Sequence, residues 1–277
     1  MTRLPEDFPV LWDTTDAPSA FEPADWFAYC SRLNGRPIPV LPPLAIQTVT
    51  RPIFDLAVSR HGARVDDFTL ADHPFARFEV DGVPMVIGYS GKGSYAAGGL
   101  DELIALGARK VIFLGGSGSI SPRVAVNDLV VATKALRDEC VSCHYIPPSR
   151  YAFAAAALSD ALAVEAQSRD RTVHIGPVWT TMAHFRQTLP RVEAFRAEGC
   201  LVVNNEASSA FAVGQARGVE VAALLNTGDL LYNGHFEVPP ERTETYQGGN
   251  IAAQLDIAIA ALLRVTNGDG TGDDHAA

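Results

Sequence analysis

Apolar and polar positions along this chain switch between two periodicities, and the switches mark out a regular run of elements from about residue 42 onward. Apolar runs of strand length are RKVIFLGG (109–116), VNDLVVATKAL (126–136), VHIGPVWTTM (173–182), LVVNN (201–205) and VEVAALL (219–225). Strands this continuously apolar belong in a sheet covered on both faces. FARFEVDGVPMVIGYS (75–90) divides around Asp81–Gly82 and predicts a hairpin. Between these lie helical patterns: 51–62, SYAAGGLDELIALGA (94–108), an amphipathic 150–169, LPRVEAFRAEG ended by Gly199, EASSAFAVGQAR (206–217), and a closing helix over 247–265. EPADWFAYCSRL (22–33) predicts one short helix with Glu22 and Asp25 in its first turn. The pattern implies an α/β fold: a single domain in three layers, with a mixed, largely parallel central sheet and helices on both faces. Residues 1–40, rich in Pro, Asp and aromatics, read as an N-terminal extension; 41–265 as the domain; TNGDGTGDDHAA (266–277) as a disordered tail.

Two carboxylates fall where such a fold places chemistry. Glu206 stands where strand LVVNN passes into a helix, and Asp229 just past VEVAALL, in a polar turn. In open α/β sheets ligands bind at the carboxyl ends of strands. Each acid also has a plainer reading, Glu206 as a helix N-terminal acid meeting the macrodipole and Asp229 as a turn cap. Two glycine-rich turns add to the picture. YSGKGSYAAGG (89–99) leaves a strand and opens a helix, as an anion-binding turn does; FLGGSGSIS (113–121) also leaves a strand. Neither has the spacing of a dinucleotide fingerprint or a P-loop. Asn204 and Asn205 are unusual at a buried strand end, because buried amides need partners. Arg137 and Asp138 read as a structural pair, and Arg150 as a surface or subunit contact.

Composition narrows the classes. The chain has 277 residues, 47% hydrophobic and 19% charged, with net charge 22 − 32 = −10. That balance argues against a nucleic-acid partner. No apolar run approaches the roughly 20 residues of a transmembrane helix, and the first residues lack a signal-peptide core. Cys140 and Cys143 form a CxxC with no second pair at zinc spacing. Reduced thiols in a cytoplasmic protein, with no metal, are the expectation.

The ordered motifs resemble the nucleoside phosphorylase superfamily: hexameric-type purine nucleoside phosphorylase, uridine phosphorylase and methylthioadenosine nucleosidase. The resemblance spans about residues 42–265. GKGSYAAGGLDELIALGARKVIFLGGSGSI is similar to the family's G-x-G turn, helix, strand and G-[ST]-x-G turn. RDECVSCHYIPPSRYAFA, GPVWTTMAHFRQT, VVNNEASSAFAV and LLNTGDLL follow in family order. The resemblance implies an N-glycosidic bond cleaved through an oxocarbenium-like transition state. It implies Glu206 on the ribose hydroxyls and Asp229 on N7 of a purine-like base. It implies a base wall at His184 and Phe185, further contacts from His144, Tyr145, Asn204 and Asn205, and a phosphate and ribose site at Gly93, Gly115, Gly116 and Ser117. No cofactor is implied, although inorganic phosphate is a possible co-substrate. The implied partners are a small-molecule nucleoside and copies of the same chain, as a dimer or hexamer.

Departures from the family pattern fall on the phosphate side. The Arg that precedes the second turn in phosphorylases is Phe113, which cannot clamp a dianion. The amino-terminal phosphate loop is not visible, and Arg51 is only a substitute candidate. The first Glu of E-M-E is Asn204, its Met is Asn205, and the Asp of T-T-D-A is Met182. Three readings stay open: a phosphorylase-like pentosyltransferase, a nucleoside hydrolase using water, and a nucleoside-binding protein without catalysis.

Overall fold

The structure, a computed structural model, describes residues 15, 17–66, 68, 73–240 and 249–268. The elements in chain order are α1 (Pro23–Asn34), β1 (Leu44–Thr48), α2 (Arg51–His61), β2 (Arg64–Asp66), β3 (Phe75–Val80), β4 (Val83–Tyr89), α3 (Ser94–Leu106), β5 (Lys110–Ser119), β6 (Leu129–Asp138), β7 (Tyr151–Phe153), α4 (Ala156–Gln167), β8 (Val173–Thr181), α5 (Leu189–Ala197), β9 (Val202–Asn204), α6 (Ala207–Arg217), β10 (Glu220–Leu230) and α7 (Gly249–Gly268). All ten strands join one mixed sheet, in the order β10-β6-β8-β9-β5-β1-β4-β3-β2, with β7 on β6. β10 also pairs with β5, so β5, β10, β6, β8 and β9 close into a ring, and β1, β4, β3 and β2 extend from it as an open sheet.

The two faces carry separate apolar cores. On one, Phe27 of α1, Leu100 and Leu103 of α3 and Phe211 of α6 meet Val111, Phe113 and Val202 of the strands. On the other, Phe54 of α2, Leu158 and Leu162 of α4 and Leu255 and Leu262 of α7 meet Ile46, Ile112 and Leu224. This is the predicted three-layer arrangement, and the alternation inside single strands produces it. Val111 and Phe113 face one core, while Ile112 and Leu114 face the other. A third, smaller cluster places Trp179 against Val192 of α5 and Val203.

β5 is the hinge of the design. Its first half pairs in parallel with β1 on one side and β10 on the other, as far as Leu114 opposite Thr48. β1 ends there. β5 then passes through Gly115, Gly116 and Ser117 and takes up β9 in antiparallel register at Gly118 and Ser119. The glycine run expected to leave the strand as a turn therefore stays in the strand; its small residues carry β5 from the open sheet into the ring. The same extension corrects the placement of Asp229. β10 does not stop at Leu225 but runs to Leu230, so Asp229 is a strand residue. It follows a register shift between Thr227 and Asp229, a bulge of the kind that re-aims a side chain.

Other boundaries also moved. Residues 150–169 begin with β7 before α4, because Tyr151–Phe153 pair with Leu136, Ala135 and Lys134 of β6. β1 and β2 carry too little pattern of their own to be read in advance. The closing helix continues to Gly268, past the boundary drawn at 265; residues 269–277 lie outside the described residues. The hairpin is as expected, with Asp81 and Gly82 at φ 52° and 79°, the mirror-image turn that matches strand twist. Arg137 and Asp138 do not pair with each other. Arg137 fastens the following loop, donating to Ser142 Oγ at 2.9 Å and to the carbonyls of Pro147 and Ile146. Asp138 accepts from Trp179 Nε1 at 3.0 Å and from Arg191 at 3.2 Å. Arg150 is exposed and paired with Glu198.

Candidate active site

Glu206 is the residue that precedes α6, its side chain makes no bond to that helix, and it is only 2% exposed. Both carboxylate oxygens are held by backbone donors: the Gly93 N–H reaches Oε1 at 2.9 Å, and the Asn205 N–H reaches Oε2 at 3.2 Å. Burial pushes the carboxyl pKa above its ordinary value, while these two donors and the Lys92 ammonium pull it back. Gly93 opens α3 at φ 67° and ψ −128°, a backbone open to glycine and hardly to any other residue. The G-x-G turn thus serves this site by turning one N–H onto the acid. A Cβ at Gly93 would come within 2.1 Å of Met182 Cε. The Met182 side chain therefore lies directly over the turn.

The register places Asp229 across the same stretch of β5. Gly118 pairs with Asp229 on its β10 side and with Val203 on its β9 side. β9 runs antiparallel to β5 and ends at Asn204, two residues before Glu206. A Cβ on Gly118 would lie 2.3 Å from Asp229 Oδ1, so the acid rests against bare backbone. Asp229 thus lies against the glycine segment of β5 on its β10 side, while β9, the strand that leads into Glu206, pairs with β5 on the other.

The remaining expected residues fall into two groups. Around Glu206, Asn205 Nδ2 lies 2.8 Å from His184 Nε2; an amide N–H donating there needs the imidazole proton on Nδ1. Phe185, next in the chain, is wholly exposed. Ser117 Oγ donates to the Asn226 carbonyl at 3.3 Å, and the Gly115 carbonyl accepts from Gln254 Nε2 at 3.1 Å. Gly116 pairs with Asn226 across β10. Asn204 is buried, with Oδ1 accepting the Thr180 hydroxyl at 2.9 Å. The second group points elsewhere. Tyr145 donates to Asp101 Oδ2 at 3.2 Å; burial and that carboxylate hold its phenol pKa well above the ordinary range. Asp101 is also gripped by Arg217 at 2.7 and 2.8 Å, a clamp between α3 and α6. His144 is exposed beside it. Arg51, at the start of α2, is exposed, pairs with Asp55 at 2.7 Å and lies over the Tyr89 ring at 5.6 Å. Phe113 is fully buried in the core, its ring beneath Gly115. Cys140 and Cys143 are both free thiols.

Reading the sequence missed Lys92, Gly118, Thr180 and Ser208. Lys92 and Gly118 sit inside glycine turns already singled out; Thr180 and Ser208 carry no signal until the strands are paired. A groove of 280 Å³ between Phe153, Phe211, Gly214, Gly218 and Val221 lies at the opposite end of α6 and includes none of the candidate residues. Glu206, with its donors Gly93 and Asn205, lies at the other end, where α6 begins.

Comparison with known proteins finds the same family. A family model described as the phosphorylase superfamily matches residues 54–247. Uridine phosphorylase of Klebsiella aerogenes is 34% identical over 101 residues, 36% of this chain and 40% of that one. A DeoD-type purine nucleoside phosphorylase of Myxococcus xanthus is 29% identical over 161 residues, 57% and 67% of the two chains. Guanosine phosphorylase of Halorubrum lacusprofundi is 25% identical over 156 residues, 56% and 65%. The matched region thus spans only 40% of the length of the uridine phosphorylase. The crystal structure of uridine phosphorylase from Vibrio fischeri superposes with a TM-score of 0.69 at 22% identity, covering 80% of this chain and 91% of that one; it shares the fold.

Proposed function

The chain belongs to the phosphorylase superfamily, and on that premise we propose that it cleaves or transfers at the N-glycosidic bond of a nucleoside. The carrying observation is the pair of acids, Asp229 on β10 and Glu206 just past β9, the strands that pair with β5 on either side. Breaking the bond from C1′ to the base nitrogen leaves positive charge on the sugar and negative charge on the base. Glu206, fixed by two backbone donors, accepts from the ribose hydroxyls and faces the developing oxocarbenium with a carboxylate. Asp229 shares a proton with the departing base, for which a purine N7 is suited. An acceptor oxygen then bonds to C1′. The relatives act, by their names, on uridine, guanosine and purine nucleosides; a purine is the substrate proposed here.

The acceptor has two readings. Inorganic phosphate is the co-substrate by kinship. Water is favoured by one observation: Phe113 stands at the family's Arg position, and its ring is wholly buried, leaving no guanidinium for a dianion. We place the protein in the cytoplasm as a homo-oligomer. Four free cysteines fit a reducing compartment, and no described helix is long and apolar enough to cross a membrane. Purine and pyrimidine nucleosides incubated with and without phosphate, with free base read by chromatography, test the proposal. Base release that falls sharply in Asp229→Asn and Glu206→Gln supports it. Saturable binding with no base released under either condition replaces it with a binding protein.

A further inference from the structure

The CxxC of Cys140 and Cys143 lies in the loop between β6 and β7, outside the candidate site. Cys140 directly precedes a single 3-10 turn, Val141–His144, and itself has helical backbone at φ −98° and ψ −23°. The Cys143 N–H donates to the Cys140 carbonyl at 3.3 Å. In 3-10 geometry side chains three residues apart eclipse, and at roughly 2 Å of rise per residue their Cα atoms lie about 6 Å apart. A disulfide spans about 4.4–6.8 Å between Cα atoms. The turn thus sets two free thiols on one side and within bridging reach. Cys140 is exposed and Cys143 half-buried, whereas Cys30 and Cys200 are buried. Burial pushes the Cys143 thiol pKa up, and the Arg137 guanidinium, whose Nη2 donates to Cys143 Sγ at 3.6 Å, pulls it back. The same turn is tied to α6. The Glu139 carboxylate accepts the Val141 N–H at 2.6 Å, the Ser142 N–H at 3.1 Å and the Ser208 hydroxyl at 2.8 Å, and Ser208 stands in the first turn of α6.

We infer that Cys140 and Cys143 form a reversible redox pair, which a low-molecular-weight disulfide of the glutathione type closes into a disulfide within the folded protein. The exposed Cys140 reacts first: its thiolate attacks one sulfur of the small disulfide, the S–S bond breaks, and one small thiolate leaves. Cys143 then gives its proton to water, and its thiolate attacks Cys140 Sγ and expels the second small thiolate. Both cysteines are oxidised, the small disulfide is reduced to two thiols, and the two protons released by the cysteines end on those thiols. In a reducing compartment the pair stays open and closes when the disulfide pool rises, as sensing thiols do. Closure fixes the turn that Glu139 ties to the first turn of α6, so local opening there becomes rarer. No part of this rests on the nucleoside-cleaving reading.

The full chain would be equilibrated under native conditions in mixtures of reduced and oxidised glutathione, its free thiols alkylated, and the product mapped by peptide mass. In excess oxidised glutathione most chains are expected to be lighter by two hydrogens, with the bond in the peptide that holds Cys140 and Cys143. Cys30 and Cys200 are expected to stay reduced, and a reductant to restore both thiols. Cys143→Ser should trap one glutathione on Cys140, and Cys140→Ser should form no bond within the turn. The oxidised wild type should melt a few degrees above the reduced form, because the cross-link limits how the turn opens. Thiols that stay free across the whole range overturn the inference. So does a wild type that stops at a mixed disulfide on Cys140, or one that closes only after denaturation. An oxidised form with the Tm of the reduced one, or a lower Tm, overturns the coupling to the turn. Every readout is a mass or a melt, so the result is distinguishable from any failure of the proposed activity.

Discussion

Gly118→Ala adds a single methyl group at the point where Asp229 meets β5. Gly118 lies in extended strand backbone, so alanine brings no conformational penalty of its own. Its Cβ would sit 2.3 Å from Asp229 Oδ1, against about 3.4 Å for ordinary contact. The carboxylate must withdraw by the difference, about 1.1 Å, and Leu231 Cδ1, at 2.8 Å, must yield as well. Misplacing a catalytic group by about 1 Å costs on the order of a hundredfold in rate, or about 2.7 kcal/mol of barrier. The overpacking itself costs about 1–3 kcal/mol of stability. The assay is the initial rate of base release over a range of nucleoside concentrations, beside a thermal melt of the same preparation. kcat/KM should fall by about two orders of magnitude while the protein still melts cooperatively above the assay temperature. A folded Gly118→Ala protein with wild-type kcat/KM refutes the role given to Asp229.

Gly98 supplies the opposite case. It is exposed on α3, and its Cβ would meet nothing within 4 Å. Gly98→Ala should raise stability by about 0.5–1 kcal/mol, roughly 2 °C in Tm, with unchanged turnover; a drop in Tm contradicts the geometry of that helix face. Glu206 makes stability depend on pH. Its carboxyl pKa is raised in the folded protein, so the native state keeps that proton to a higher pH than the unfolded chain does. Stability from this group is greatest in acid and declines as pH rises from the ordinary value of 4.5 through the raised one. The difference in Tm between wild type and Glu206→Gln, followed from pH 4 to pH 8, should therefore move against the wild type as pH rises. A flat difference would sink the assignment.

Much of the architecture was legible in advance because strand and helix periods are local properties. Five apolar runs became β5, β6, β8, β9 and β10, and the Asp81–Gly82 turn became the predicted hairpin. Short strands such as β2 and β7 were not legible, since three residues carry no period and form only by pairing with β3 and β6. The glycines of 115–118 were misread for a related reason. A glycine run looks alike whether the chain turns there or crosses between two partners, and only the pairing with β1 and then β9 decides which.

Legible in the order of residues alone is an inventory: an α/β chain of three layers, two acids near strand ends and a glycine turn before α3. Hydrophobic periodicity and residue type are written position by position, and they survive without coordinates. Which partners these residues meet follows from how the strands and helices pack. That packing turned the Gly93 N–H onto Glu206, set Asp229 against the bare backbone of Gly118, sent Tyr145 to Asp101 and left Asn204 Nδ2 without a partner. The first three of these join residues distant in the chain. The closure of β5, β10, β6, β8 and β9 into a ring sets β10, which carries Asp229, and β9, which leads into Glu206, on either side of β5, and that closure is written in no single stretch of sequence.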